Sequence, residues 1–413
     1  MRARYALICL AAIIAGCAAA ETGPSPSGDK LYQALSTQHS QFVSVIDSRS
    51  HKSERQMPLG VPSPDWKHLY SFDTTSVVDT DPATGQTQAA LQLGHAYRLP
   101  GATISGMPGG TSPDGRWLVL ERYDLETTDV PTGSHFLLLS TSPLAVSARV
   151  DLNGFFDFDA ISNDGKRLYL IQYAGTRAYY VRIYDLAAGR LDPQIVFDKS
   201  DGANAMTGLR LSGVASRNGA WLFSMYAREK DGPFVHALSL DGPLAFCLDL
   251  AGKGYAQDGT AMQWALAMSP NGSMLYAVNL AAGEIAAIAV EDAPHIVRTG
   301  HLAKAQSSRA LIQSVEAKEV GANAAFVSSD GRTLVAGGSL GVVWIDTANL
   351  TIRKRALGDW RIWSLGLSPD GKTVYAVSDG GKVAAIGMAS AAVEDTFDLS
   401  GGQPMALMRV AAS

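Results

Sequence analysis

The decapeptide Ser368-Pro369-Asp370-Gly371-Lys372-Thr373-Val374-Tyr375-Ala376-Val377 decides the fold, because its first four residues recur along the chain. The recurring pattern is a serine, a variable residue that is often proline, an Asp or Asn, and usually a glycine. An aliphatic residue follows four positions after each Asp or Asn. The seven copies are Ser63–Trp66, Ser112–Gly115, Ser162–Gly165, Ser216–Gly219, Ser269–Gly272, Ser328–Gly331 and Ser368–Gly371.

The repeated tetrapeptide has the composition of a tight hairpin turn. Proline fixes φ near −65° at the first corner, and Asp or Asn bonds to the local backbone through its side chain. Glycine then adopts the left-handed conformation that returns the chain to a strand. The flanking residues alternate in polarity, as in Phe156-Asp157-Phe158-Asp159, which indicates strands on both sides. Helical periodicity is nearly absent.

The spacing of the turns predicts a β-propeller. Successive Asp or Asn positions are 49, 50, 54, 53, 59 and 40 residues apart, a period typical of four-stranded blades. Two further strands fit between the signatures, and the third strand often ends in two aliphatic or aromatic residues and an aspartate. Examples end at Asp47, Asp79, Asp185 and Asp346. We therefore predict an all-β propeller of four-stranded antiparallel blades.

The number of blades depends on the two ends of the chain. Seven signatures predict seven blades. Phe42–Asp47 and Arg55–Gly60 also have strand-like sequences before the first signature, and Pro404–Val410 has one after the last. Propellers commonly close by pairing N- and C-terminal strands in one blade, which removes an exposed sheet edge. We predict seven blades with this closure, and eight is the alternative if the extra strands form a complete blade.

The last repeat resembles those of a known group of propellers. Ser368–Val377, preceded by Val342-Val343-Trp344-Ile345-Asp346, is similar to the YVTN-type repeat of bacterial surface and lactonase-like propellers, and to the WD40-like repeat of TolB-type propellers. The resemblance extends over about residues 30–410 and implies the fold. It implies no activity, because no active-site motif of the lactonases or of the quinoprotein amine dehydrogenases can be placed on this sequence.

The first residues have the features of a secretory signal. Arg2 and Arg4 form a short positive region, and Tyr5–Ile14 is an apolar run of ten residues. This run is too short to span a bilayer as a mature helix and fits the core of a signal peptide. An ordinary signal peptide cleaved after Ala20 is one interpretation of this segment.

Ile14-Ala15-Gly16-Cys17 resembles the lipobox of bacterial lipoproteins, and this is the interpretation we favour. The resemblance implies cleavage between Gly16 and Cys17, with acyl chains on Cys17 that anchor the protein in a membrane. Residues 1–16 are then the signal peptide, 17–30 a flexible Pro/Ser/Gly-rich tether, and 31–413 a single propeller domain. We expect an exported protein on the outer side of the cytoplasmic membrane, with the outer membrane as the alternative location of the anchor.

Composition narrows the classes of partner. The formal net charge is −5 and becomes about −7 when Arg2 and Arg4 leave with the signal. Mild acidity without a basic cluster argues against nucleic acid as a partner. Of the three cysteines, Cys9 lies in the signal and Cys17 is the lipidation site. Cys247, the remaining thiol, lies in an apolar strand-like run, where we expect it to be buried and unreactive.

Two pairs of residues are candidates for ligand contact. Asp157 and Asp159 alternate with Phe156 and Phe158, which predicts a strand with a carboxylate face and an aromatic face. Paired carboxylates could bind Ca²⁺ or act as an acid and a base, but we favour hydration of the channel mouth. The aromatic residues of Trp360-Arg361-Ile362-Trp363 could stack on a ligand, although packing between blades is the ordinary role of such side chains.

Two stretches depart from the repeat. Ala303–Gly321 contains Ser308–Lys318, a segment of helix-friendly composition that we interpret as a surface insertion, with a channel cap as the alternative. Tyr97–Gly110 is rich in Gly and Pro and could form a rim loop or a plain long turn.

The sequence indicates no catalytic residue, metal ligand or cofactor. The eight histidines form no HxH or HxxxH pair, and no nucleophile elbow, phosphate-binding loop or CxxC pair is present. We predict a lipid-anchored binding or scaffold module for an envelope protein or ligand. The alternative is a propeller enzyme, a lactonase-like hydrolase or an oxidoreductase, with its site in the central channel.

Overall fold

The computed structural model describes residues 28–73, 75–104, 106–125, 130–175, 178–198, 205–302 and 324–413. Within these residues the chain forms an eight-bladed propeller of antiparallel sheets. One short 3₁₀ helix, Gly259–Met262, is capped by the Asp258 side chain, which accepts from the Thr260 backbone N–H. A search of the same residues finds no helix long and apolar enough to cross a membrane.

The strands, in chain order, are β1 (Lys30–Ser36), β2 (Gln41–Asp47), β3 (Ser53–Pro58), β4 (Gly60–Pro62), β5 (Leu69–Asp73), β6 (Ser76–Thr80), β7 (Thr87–Gln92), β8 (Trp117–Asp124), β9 (Gly133–Thr141), β10 (Leu144–Asn153), β11 (Phe156–Ile161), β12 (Arg167–Tyr173), β13 (Ala178–Asp185), β14 (Arg190–Asp198), β15 (Met206–Thr207), β16 (Leu209–Ala215), β17 (Trp221–Ala227), β18 (Phe234–Ser239), β19 (Leu244–Asp249), β20 (Ala265–Met268), β21 (Met274–Asn279), β22 (Glu284–Ala289), β23 (His295–His301), β24 (Ala325–Val327), β25 (Thr333–Gly338), β26 (Gly341–Asp346), β27 (Thr351–Ala356), β28 (Ile362–Leu367), β29 (Thr373–Ser378), β30 (Lys382–Gly387), β31 (Val393–Asp398) and β32 (Gln403–Ala411).

The blades follow one another around a central channel. From the channel outward, blade 1 is β32-β1-β2-β3 and blade 2 is β4-β5-β6-β7. Blade 3 is β8-β9-β10, and bridges such as Thr111↔Leu118 stand where its innermost strand would be. Blades 4 to 8 are β11–β14, β16–β19, β20–β23, β24–β27 and β28–β31. Parallel pairing of β14 with β19 joins the outer edges of blades 4 and 5.

The prediction of seven blades is wrong, and the closing blade explains the error. Each signature turn joins the innermost strand of a blade to its second strand. In blade 1 the innermost strand is the C-terminal β32 and the second strand is the N-terminal β1, which pair antiparallel from Lys30↔Ala411 to Ser36↔Gln403. The two ends of the described chain therefore occupy the place of the eighth turn. Closure by N- and C-terminal strands is confirmed.

The seven turns share one hydrogen-bond pattern. In blade 6, Ser269 Oγ donates to Asn271 Oδ1 at 2.7 Å and accepts from the Met274 backbone N–H at 2.9 Å. Gly272 has φ of +75° and donates its N–H to the Ser269 carbonyl. The same serine-to-Asx bond, 2.6–2.7 Å long, occurs in all seven copies. These turns define one face of the disc, which we call the turn face.

The opposite face carries the loops that join second to third strands and the connections between blades, because adjacent strands are antiparallel. We call it the connection face; the end of β12 and the start of β16 lie on it. Apolar side chains from adjacent blades pack between the sheets, as Leu334 of blade 7 and Tyr276 of blade 6 do in one buried cluster. This packing leaves the innermost strands, the strand ends at the two faces and the loops to form a site.

Candidate functional site

A cavity of about 750 Å³ opens on the connection face beside blades 3, 4 and 5. Its walls come from the innermost strands of blades 4 and 5, from β8, from the end of β12 and the start of β13, and from the end of β17 and the loops that follow β17 and β19. A volume of this size accommodates a small organic molecule. The residues that line it include Arg98, Glu121, Asp157, Phe158, Tyr173, Tyr179, Leu209, Arg210, Tyr226, Lys230 and Tyr255.

The connection between blades 2 and 3 forms one wall of this cavity. We call its described part, residues 94–104 and 106–110, the rim segment. Arg98 forms a β-bridge with Glu121 in blade 3, and the Ile104 N–H donates to the Arg210 carbonyl of blade 5 at 3.1 Å. The segment therefore extends from blade 3 to blade 5 and passes blade 4, which lies between them. Its Gly101 lines this cavity and a second one of about 620 Å³ beside blades 1 to 3.

Glu121 is the most buried carboxylate that lines the cavity, with 2% of its surface exposed. Arg98 Nε donates to Glu121 Oε1 at 3.1 Å, and the Phe158 N–H lies 3.4 Å from Oε2. Burial and the nearby charge of Asp157 raise the pKa of Glu121, and the Arg98 guanidinium opposes that rise. Glu121 therefore has a protonation equilibrium that depends on the other charges in the pocket.

Asp157 accepts hydrogen bonds from two tyrosines. Tyr123 Oη donates to Oδ1 at 2.5 Å and Tyr173 Oη donates to Oδ2 at 2.7 Å. Burial raises the pKa of Tyr123 and of Tyr173, and the neighbouring carboxylates raise both further. Both phenols are therefore protonated donors at neutral pH, and they hold the Asp157 carboxylate in one orientation.

Asp159 belongs to a different set of contacts. Arg210 Nη1 donates to Asp159 Oδ1 at 2.9 Å, and the side chains are 18% and 2% exposed, respectively. A register shift in β11 between Phe158 and Ala160 breaks the alternation of the strand. The expected separation into a carboxylate face and an aromatic face is therefore wrong. Asp157 bonds toward blade 3, Asp159 bonds toward blade 5, and Phe158 lines the cavity between them.

A row of aromatic rings runs beside the carboxylates through three blades. Phe155 stacks on Tyr173 with centroids 4.4 Å apart, and Tyr173, Tyr179 and Tyr226 follow at 6.4 and 6.2 Å. Tyr123 approaches Phe155 edge-on at 5.6 Å. Such rings provide a rigid apolar wall that also carries hydroxyl groups.

Several buried polar atoms of this region have no hydrogen-bond partner among the described residues. They include Asp159 Oδ2, Arg210 Nε and Ser212 Oγ. Asp159 is only 4% exposed, and Arg210 lines the cavity. Because native proteins rarely bury unpaired polar atoms, a cluster of them beside a cavity indicates a place where a ligand or water completes the bonding.

Other sequence candidates have structural roles or lie elsewhere. Trp363 Nε1 donates to the Met405 carbonyl of blade 1 at 2.9 Å, so this ring helps close the propeller. Cys247 is half-buried in β19, where we expected full burial. No group of three or more His, Cys, Asp or Glu residues in the described ranges is arranged to hold a metal ion. Gly16, Cys17 and Ser308–Lys318 lie outside the described residues.

Sequence reasoning found Asp157 and missed most of its surroundings. Arg98 lay inside a stretch singled out as irregular, but Glu121 and Arg210 looked like ordinary strand residues. Both could have been found from the repeat, because each is a charged residue at a position where most other repeats have an apolar one. The pairing of these side chains depends on which blades are neighbours around the channel.

Comparison with known proteins supports the fold and goes no further. No protein-family description matches the chain, and no curated protein sequence does. Its structure is similar to that of dihydro-heme d1 dehydrogenase NirN in complex with DHE, at 14% identity and a TM-score of 0.53, over 91% of this chain and 74% of that one. The Pseudomonas aeruginosa periplasmic gluconolactonase PpgL is 18% identical with a TM-score of 0.45, over 92% of this chain and 98% of that one. At these identities the likeness shows the propeller fold alone.

Proposed function

We propose that this chain is an exported, lipid-anchored propeller that binds a small polar organic molecule in the cavity beside blades 3 to 5. The observation that carries the proposal is the convergence of buried ionic and phenolic groups on that cavity. Glu121, Asp157 and Arg210 come from three different blades and all line it. Such groups are costly to bury, and a binding site is the common reason for retaining them.

The unpaired atoms beside the cavity support a ligand over a purely structural role. An ionic cluster contributes most to the stability of the folded state when every donor and acceptor in it has a hydrogen-bond partner. Here Asp159 Oδ2 and Arg210 Nε lack partners in the described part of the chain. The dehydrogenase NirN, which shares the fold, has a structure in complex with DHE.

A cavity-filling variant tests the proposal. A Cβ at Gly101 would meet no atom within 4 Å, and this glycine does not have a left-handed φ, so Gly101→Trp adds an indole at the boundary of the cavity without a clash at Cβ. The exposed Ala90 on the outer strand β7 supplies the matched control, Ala90→Trp. The probe is the small-molecule ultrafiltrate of an extract from cells that make the protein.

We expect the ultrafiltrate to raise the melting temperature of the wild type and of Ala90→Trp but not of Gly101→Trp, because a ligand that binds only the native state stabilises it. An equal shift in all three proteins, or no shift in the wild type, contradicts the proposal. Circular dichroism of the unliganded variants verifies that both retain the fold.

The anchor is a separate part of the proposal and rests on the lipobox-like Ile14-Ala15-Gly16-Cys17. We expect Cys17→Ser to move the protein from the membrane fraction to the soluble fraction while the propeller stays folded. A variant that remains with membranes after a high-salt wash contradicts lipid anchoring.

An enzyme is the second candidate, and the environment of Glu121 favours it. A buried carboxyl with a raised pKa beside a second carboxylate is a recurring arrangement for acid–base chemistry. If the wild type converts a compound of the ultrafiltrate and Glu121→Gln binds that compound without converting it, the site is catalytic. Binding without conversion by both proteins supports the binding module.

A further inference from the structure

The charges around the cavity are unequally paired. Glu121 is paired with Arg98 at 3.0 Å, and Asp159 with Arg210 at 2.9 Å. Asp157 makes no ion pair with any described residue, and its recorded partners are the two tyrosine hydroxyls. Asp157 therefore lines the cavity as a carboxylate that has two neutral hydrogen-bond donors and no cationic partner among the described residues.

The neighbours of Asp157 respond to that unbalanced charge. It contributes to the raised pKa of Glu121, and it raises the pKa of Tyr123 and Tyr173. A positive charge beside Asp157 would relieve the repulsion between the two carboxylates. A carboxylate also offers about four lone-pair positions, of which the two tyrosines take two.

The rings beside Asp157 suit the same kind of group. Tyr173, Tyr179 and Tyr226 line the cavity together with Phe158, and the face of a phenol or phenyl ring attracts a cation. The hydroxyl of the buried Tyr179, which lies beside that of Tyr226, adds a polar atom at this wall. Leu209 and Ile104, on the side of the rim segment and blade 5, supply apolar surface for the rest of a ligand.

From these contacts, and given the proposed binding function, we infer that the ligand carries a positively charged nitrogen, an organic ammonium group, seated between Asp157 and the tyrosine rings. An anionic ligand would have to compete with Glu121 for Arg98 and with Asp159 for Arg210, and the remaining lining cation, Lys230, is flanked by the acidic residues Glu229 and Asp231. A cavity of about 750 Å³ leaves room for an organic body attached to the ammonium group.

Matched pairs of probes separate charge from shape. Choline and 3,3-dimethyl-1-butanol have nearly the same shape, and only choline is charged. Tyramine and 4-propylphenol form a second, aromatic pair, and 3-phenylpropionate is the anionic probe. Binding of each to the purified wild type is measured by calorimetry at neutral pH.

The protein variants test whether Asp157 receives the charge. Asp157→Asn keeps oxygen and nitrogen atoms at the carboxylate positions and removes the charge. Asp395→Asn is the control, since Asp395 lies half-exposed on β31 of blade 8, where it contacts His51. We expect an ammonium probe to bind more tightly than its neutral partner, and Asp157→Asn to weaken that binding about 10- to 100-fold, as for loss of a hydrogen bond to a charged group.

Three results would overturn the inference: neutral partners that bind as well as the ammonium probes, tighter binding of 3-phenylpropionate, or no binding of any ammonium probe. An unchanged affinity in Asp157→Asn would also overturn it. None of these touches the proposed function, which depends on the separate response of Gly101→Trp to the cell ultrafiltrate. If that response fails as well, both proposals fail.

Discussion

Blades 3 to 5 and blades 6 to 8 share one scaffold and differ in what they present to the channel. The innermost strands of blades 6, 7 and 8 are Ala265–Met268, Ala325–Val327 and Ile362–Leu367, and none contains a charged residue. The corresponding strands of blades 4 and 5 carry Asp157, Asp159 and Arg210. The turns that precede the second strands have the same hydrogen bonds in both regions.

The difference separates the residues that make the fold from those that make the site. The side chains of the apolar inner strands stabilise blades 6 to 8 mainly by burial of apolar surface. The ionic groups of blades 4 and 5 carry a desolvation cost that their mutual attraction only partly offsets. Register shifts in β11 and β16 lie at the charged positions, and β28 of blade 8 has a similar shift between Ile362 and Ser364, so the charges and not the bulges distinguish the two regions.

The largest effect is expected when a carboxylate is placed on an apolar inner strand of blades 6 to 8. Leu266 stands three residues before the turn serine of blade 6, as Asp159 does in blade 4, and the two are 2% and 4% exposed. Leu266→Asp buries a charge without an arginine, so we expect a loss of more than about 4 kcal/mol in the free energy of unfolding. Urea denaturation measures it, with Leu266→Met as the control of similar volume. A loss below about 1 kcal/mol would show that the two halves tolerate charge equally.

Removal of one partner from the buried ion pair should have the next largest effect. Arg210→Met leaves the Asp159 carboxylate buried without its guanidinium, which we expect to cost about 3–5 kcal/mol of unfolding free energy. Asp159→Leu combined with Arg210→Met should recover most of that loss, because both charges are then gone. If the double variant is as unstable as the single one, the ion pair itself stabilises the fold. Blades 4 and 5 would then not differ from blades 6 to 8 in carrying a cost for their charged groups.

The turns should behave alike in both regions. Ser162 in blade 4 and Ser269 in blade 6 each donate to an Asx side chain and accept a backbone N–H. We expect Ser162→Ala and Ser269→Ala to lower the unfolding free energy by about 1 kcal/mol each. Thermal denaturation of the two variants side by side measures the difference. Unequal losses would show that the turns also contribute to the difference between the two regions.

The smallest expected effect is a pH-dependent change in stability that involves His135 in blade 3. Burial opposes the charged form of His135, but hydrogen bonds to Asp151 and Asp124, at 2.5 and 2.7 Å, leave its pKa raised. A raised folded-state pKa contributes stability below the unfolded value of about 6.5, which is lost as pH rises through the folded value. We expect His135→Gln to be less stable than the wild type at pH 5.5, by about 1 kcal/mol or less because both partners are exposed, and equally stable at pH 9. Urea midpoints at the two pH values measure this, and a difference that grows toward pH 9 would contradict the assignment.

The sequence by itself determined the propeller, since each turn is local. Ser, Asx and Gly within four residues form their own hydrogen bonds, and the 40- to 59-residue spacing of the copies repeats one blade. It also predicted the pairing of the chain ends. It did not count the blade that those ends build, because a blade closed by the termini contains no inner turn.

Only the tertiary structure decided the cavity. Arg98, Glu121, Asp157, Tyr179 and Arg210 lie on separate elements of three blades and the rim segment, and they meet because those blades are neighbours around the channel. The register shift in β11 then separated Asp157 from Asp159, although two-residue spacing in a regular strand would place them on one face. Local hydrogen bonds can be inferred from a few adjacent residues, whereas side-chain pairing between blades depends on packing of the whole ring.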